Sequence, residues 1–181
     1  AIWNCSADNI APTTSIATLP NWITQNFNAT FSDVDNVNGS GIEKSFYQVA
    51  DFNGTEWRAN DAEGFFNDDF DQQAINPQFT IATGTWTANA SGALEQSDES
   101  QSNTNIYAPL TQNLSNRYLY HFNGMISGTT SNNRRAGIHF FCDNPTLTNR
   151  GNNYLVWFRD DQSACEFYKV TTDVFPLIYS V

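Results

Sequence analysis

The sequence predicts an all-β protein of sandwich type, and three observations carry that expectation. Lys and Glu, both strong helix formers, are scarce, whereas aromatic and β-branched residues are abundant. Short stretches of alternating apolar and polar residues recur between turns rich in Asn, Asp and Gly, at a spacing of about ten residues toward the C-terminus. No stretch shows the i, i+3, i+4 recurrence of an amphipathic helix.

Each element has its own signal. Residues 8–20, DNIAPTTSIATLP, carry two prolines among small polar residues and read as a linker leading into an edge strand. In NFNATFSD (26–33), Phe27, Ala29 and Phe31 alternate with polar neighbours, as a half-buried strand requires. DVDNVNGSG (33–41) is a turn composition. IEKSFYQVADF (42–52) reads as a second strand, with Ile42, Phe46 and Val49 in imperfect alternation. NGTEWRAN (53–60) supplies an Asn-Gly turn and a short third strand.

The pattern resets over residues 61–67. GTWTANASGALEQ (84–96) then reads as two strands around an Asn-Ala-Ser-Gly turn, and NIYAPL (105–110) as another short strand. YLYHFNGMISG (118–128) predicts a long strand with Tyr118, Tyr120 and Phe122 on one face and Leu119 and His121 on the other. RRAGIHFFCD, NYLVWFRDD and ACEFYKV follow as three more. The last stretch, DVFPLIYSV, is apolar and ends without a polar residue to blunt a sheet edge, which predicts a piece of a longer polypeptide.

Composition narrows the function classes. Eight Lys and Arg against 19 Asp and Glu give a formal charge of −11, which opposes nucleic acid and anionic membrane surfaces. It suits cations, neutral polymers or solubility. No run approaches the ~18 apolar residues of a membrane helix, and no signal peptide is recognisable, so a mature form or fragment is expected.

The three cysteines, Cys5, Cys142 and Cys165, are an odd number. In a simple meander Cys142 and Cys165 flank opposite ends of the strand between them. That separation, at ~3.3 Å per residue, exceeds the ~7 Å Cα limit of a disulfide, so free thiols are expected. Six Asn-X-Ser/Thr triplets begin at Asn4, Asn28, Asn38, Asn53, Asn89 and Asn113. In a chain this rich in Asn and Thr such triplets arise from composition alone, and a bacterial origin voids most of them.

Residues 66–170 resemble a known family. The cadence FNDDFD, PQFTIATGTWTANASGALEQSD and NTNIYAPL resembles the entry to concanavalin A-like, laminin G-like jelly-roll domains of secreted bacterial proteins. RRAGIHFFCDNP and NRGNNYLVWFRDD resemble their central strands. Upstream, APTTSI and NFNATFSDVDNVNGSGIEKSFYQV resemble a bacterial immunoglobulin-like module. The pairing is similar to surface proteins of the Bacteroidetes, including type IX secretion exports and gliding adhesins. The resemblance implies a linker and immunoglobulin-like segment over 1–64 and a jelly roll, incomplete at its C-terminus, over 65–181. It implies an extracellular or cell-surface location and a non-catalytic adhesion or carbohydrate-binding module. Two alternatives stay open: an accessory module of a polysaccharide-degrading enzyme, and a structural or assembly subunit without sugar binding.

Two acidic stretches are candidate calcium sites. Asp33, Asp35 and Asn38 bring hard oxygen ligands and glycines, although Val37 interrupts the EF-hand spacing, and an Asx-rich turn bonding its own backbone is the favoured account. Asp68, Asp69 and Asp71 repel one another unless a cation or donors intervene. On an extended chain Asp69 and Asp71 share a face and Asp68 points away. The alternative is a solvated entry to a domain. A glycosidase pair needs two carboxyl groups roughly 5–10 Å apart in a cleft. Adjacent exposed aspartates do not offer that, and Glu95 and Glu166 lie on separate predicted strands.

His121 and His139 lack zinc spacing, and no Gly-X-Ser-X-Gly elbow or phosphate loop appears. For a glycan or cell-surface polymer, the candidate contacts are Tyr154 and Trp157, with Arg134, Arg135, Asn149, Arg150 and Asn153 in flanking loops. Core packing is the competing account of Trp157. Other copies or subunits of a surface assembly are the alternative partners.

Overall fold

A computed structural model describes residues 8–17, 23–55, 57–128, 134–160 and 162–181. Cys5 and the Asn4 triplet lie outside them. The fold is all-β with antiparallel pairings, as the composition predicts. Among the described residues the one helical element is a short 3₁₀ turn, Asp61–Glu63. No helix there is long and apolar enough to cross a membrane.

The chain divides into two compact units between Tyr47 and Gln48, upstream of the 61–67 reset. In the first unit, β1 (Thr13–Ile16) pairs antiparallel with β2 (Phe31–Val34). Ile16, Phe27, Phe31 and Val34 are all exposed, so the alternation around Phe31 marks a strand but not a buried face.

The second unit begins with β3 (Ala50–Phe52) and β4 (Trp57–Ala59), joined by the expected Asn-Gly turn. Residues 42–49, expected to be a strand, form no ladder; only 50–52 of that stretch pair. Next, β5 (Thr80–Thr83) pairs with β8 (Asn105–Tyr107). Between them, β6 (Trp86–Asn89) and β7 (Ala93–Gln96) form the predicted hairpin. Gly92 closes its turn at φ +70°, a backbone region that favours glycine.

The largest sheet is the meander β9 (Arg135–Phe140), β10 (Asn153–Arg159), β11 (Ala164–Val170) and β12 (Leu177–Ser180), with β9 and β12 at its edges. Register places Asn153, Leu155, Trp157 and Arg159 of β10 opposite Val170, Tyr168, Glu166 and Ala164 of β11, all on one face. Leu155, Tyr168 and Val170 are buried there and Trp157 and Phe175 pack against them, forming the core. Each such fully buried large side chain contributes about 1.5–3 kcal/mol.

A buried polar group crosses this face. Glu166 accepts a hydrogen bond from the Tyr168 hydroxyl at 2.6 Å, and Arg159 Nη1 lies 3.4 Å from both its oxygens. Burial first, and the Glu166 carboxylate second, push the Tyr168 phenol above its ordinary value.

Residues 118–128 are not a strand. Their alternation is nonetheless used: Tyr118 packs on Phe141, Tyr120 on Phe140 and Phe122 on Phe158. Alternation specifies a two-sided segment, and ring packing satisfies it without a ladder partner. Cys142 and Cys165 are free thiols, as the meander geometry predicts, each half-buried.

Candidate functional site

Two polar depressions mark the second unit. One opens at the end of the large sheet, where the β9–β10 and β11–β12 connections meet. It spans about 450 Å³ and is lined by Asp143, Asn144, Leu147, Gly151, Asn152, Thr172 and Asp173. Its polar groups bond mainly to one another. Asp143 accepts the Asn152 amide at 2.7 Å and its Nδ2 at 2.6 Å, and these bonds hold its carboxyl below the usual range. Asp173 Oδ1 accepts the amides of Asn149 (2.7 Å) and Gly151 (3.2 Å), while Asn152 Oδ1 accepts that of Thr172. Gly151, at φ +72°, has no room for a Cβ beside Asp143.

Several predicted ligand contacts belong to this scaffold. Arg150 is buried, and its guanidinium donates to the carbonyls of Leu147, Thr148, Asn103 and Thr104, tying two loops together. Asn153 is buried, donates to the Asn149 carbonyl and bonds His139 Nδ1 at 2.7 Å. Burial is the main cause that lowers the His139 pKa; the Asn153 bond opposes it, and the Arg150 charge adds to it. Burial likewise raises the Cys142 thiol, which donates to the Arg150 carbonyl.

The remaining candidates separate. Trp157 meets Tyr168 and Phe175 edge-on, with the exposed Arg135 guanidinium 5.0 Å over its ring. Tyr154 is exposed on the opposite sheet face. Arg134 pairs with Asp160 at 3.4 Å. Glu95 accepts from Asn89 Nδ2 on the β6–β7 hairpin.

In the first unit, Asp35 accepts the backbone amides of Asn36 (2.8 Å) and Gly41 (2.6 Å), and Asp33 accepts the Ser45 hydroxyl. Asn38 sits in the turn at φ +69°. The acidic stretch thus bonds its own backbone and a nearby hydroxyl. No group of three or more His, Cys, Asp or Glu able to hold a metal ion occurs among the described residues.

The second depression is built around FFNDDFD. It spans about 210 Å³ and is lined by Trp57, Arg58, Asn67, Asp68, Asp69, Asp71 and Gln72. Residues 65–70 are not a strand, yet their alternation survives: Phe66 and Phe70 both pack on Phe79, while Asn67, Asp69 and Asp71 are exposed. Asp68 faces inward, 3.8 Å from Arg58, and its Oδ1 accepts the Phe70 amide. Asn67 Oδ1 accepts the Ala59 amide, fastening the loop to β4.

Trp57, on the same strand, is 57% exposed and packs against Phe52 at 5.4 Å. No family model, curated protein or solved structure matches this chain. The chemistry of the hollow therefore carries the functional assignment. The aspartates were legible as a candidate site in the sequence, whereas Trp57 was not. Its signal was a large apolar residue three positions after Gly54, close to a hairpin tip where rings are seldom needed for a core.

Proposed function

We propose that this chain is a non-catalytic extracellular adhesion or carbohydrate-binding module of a larger bacterial surface protein. In this reading the second unit is a concanavalin A-like sandwich, the first an immunoglobulin-like segment, and the hollow beside Trp57 contacts sugar. One observation carries it: Trp57, 57% exposed on a hairpin, belongs to the lining of a concavity that also holds amide, carboxylate and guanidinium groups. An aromatic face stacks on the C–H face of a pyranose, and convergent polar groups bond its hydroxyls. The hollow is smaller than sites for drug-sized ligands, which suits one sugar ring and weak binding multiplied by avidity.

The groups do not favour hydrolysis. Asp69 and Asp71 are exposed, and Glu166 is engaged by Tyr168 and Arg159 within the sheet face. A glycan array with and without calcium, run on the wild type and on Trp57→Ala, tests the assignment. Retention by the wild type and its loss in the variant are expected; an array blank for the wild type under both conditions overturns it.

One observation favours an assembly role as a second reading. β12 is an uncharged edge strand whose Leu177, Ile178 and Tyr179 are each more than half exposed. Such an edge suits strand addition from another copy. Sedimentation of the wild type against Ile178→Lys tests it: self-association reversed by the charge supports it, and a monomer at high concentration counts against it.

A further inference from the structure

We propose that Asn123 is a self-modifying residue, which the folded chain converts to aspartate and isoaspartate ahead of its other Asn-Gly pairs. Three such pairs occur: Asn38-Gly39, Asn53-Gly54 and Asn123-Gly124. The conversion needs only water and a base. The glycine backbone nitrogen gives up its proton and attacks Cγ of the preceding side chain. The side-chain nitrogen takes up a proton and leaves as ammonia, and a cyclic imide remains. Water then opens the imide at either carbonyl. One opening gives aspartate, and the other gives isoaspartate, whose main chain runs through the former side chain. Glycine in the second position leaves no Cβ in the path of the incoming group.

The fold treats the three pairs differently. At Asn38 the attacking group is occupied, because the Gly39 amide donates to the Asn36 carbonyl at 2.9 Å. The Asp35 carboxylate also lies against Gly39, where it repels the negative charge that builds on the attacked carbonyl. At Asn53 the attacked group is occupied instead. Its Oδ1 accepts the Thr55 amide at 3.0 Å and the Thr55 hydroxyl at 2.9 Å, which hold the side chain toward residue 55.

Asn123 carries neither restraint. Both it and Gly124 are exposed and outside any strand, and neither is hydrogen-bonded among the described residues. Apart from the adjoining residues, nothing stands within 4 Å of where a Gly124 Cβ would lie. Phe122 anchors the chain just upstream on Phe158, and Met125 downstream is exposed. The conversion therefore displaces no packed side chain.

The test incubates the folded protein and a guanidinium-unfolded sample at mildly alkaline pH. Peptide mass spectrometry follows each pair, and enzymatic methyl transfer distinguishes isoaspartate from aspartate. Asn123 is expected to convert first in the folded chain. The bond that must break at Gly39 slows Asn38 about two- to tenfold, and the Thr55 bonds slow Asn53 at least as much. In the unfolded sample the three rates are expected to converge. Gly124→Ala is expected to slow conversion at Asn123 alone, and Asn123→Gln, which needs a larger ring, to abolish it there.

Conversion of Asn38 or Asn53 before Asn123 in the folded chain overturns the proposal. So does an Asn123 that stays intact while the unfolded chain reacts, or a ranking that persists after unfolding. A Gly124→Ala chain that converts as fast as the wild type overturns it as well.

Discussion

The loop depression at the sheet end and the hollow beside Trp57 are both polar, acidic and concave, yet they differ in what their polar groups are bonded to. At the sheet end, both Asp143 oxygens, one Asp173 oxygen and both terminal nitrogens of Arg150 are taken up by neighbouring backbone and Asn152. In the hollow, Asp69 and Asp71 are exposed and each accepts a single short-range bond, from the Asp71 amide and from Gln72 Nε2. Polar groups bonded to distant backbone define a loop's shape, whereas exposed ones bonded only to their immediate neighbours do not. Density of polar residues alone does not separate the two.

That contrast predicts that substitutions on the sheet and its loops change stability, and that substitutions in the hollow change binding. The largest stability loss is expected for Glu166→Ala, which strips Tyr168 and Arg159 of their buried partner. About 3–5 kcal/mol is expected by denaturant unfolding, and a loss under ~1 kcal/mol would show that water already serves these groups. Gly151→Ala follows, at about 1–3 kcal/mol, because a side chain at φ +72° is strained and would displace Asp143. Unchanged melting there would mean that the loop yields to the added side chain.

Trp57→Ala is expected to lower stability by about 1 kcal/mol or less, since the residue is mostly exposed and its ring contact with Phe52 lies at the surface. The same variant is expected to lose sugar retention. A variant that unfolds instead would place Trp57 on the structural side of the comparison.

The smallest effect is a pH limb from His139. Burial lowers its folded pKa, so the unfolded chain binds the proton more readily. Its contribution is therefore fully present above about 6.5, the ordinary histidine value, and is lost as pH falls toward the folded pKa. His139→Gln is expected to flatten that limb in pH-dependent melting curves, and an identical profile would place the limb elsewhere.

The fold was largely readable from local signals. β6 and β7 followed from Asn-Ala-Ser-Gly between alternating residues, and β9 to β11 from short apolar runs at regular spacing. Residues 118–128 show the limit: Tyr118, Tyr120 and Phe122 share a face as their spacing requires, but spacing cannot say whether a neighbouring strand supplies hydrogen bonds. The same limit applies to the aspartates, whose inward and outward positions followed from period two without a strand. Arg150 and Asn153 looked like ligand contacts because loop polar residues usually face water. Their burial depends on carbonyls contributed by Asn103, Thr104 and Asn149, a contact order that no local pattern encodes.

The two free thiols have a mechanical consequence. Cys142 lies just past the end of β9 and Cys165 near the start of β11, at opposite ends of a three-strand meander. β9 and β11 run the same way on either side of β10. Tension applied between tethers at these cysteines would pull them in opposite directions along the strand axis. That geometry loads the ladder bonds in shear, many at once, so the sheet would yield at far higher force than if peeled from an edge. The chain thus carries its own attachment points for measuring how much load this part of the molecule bears.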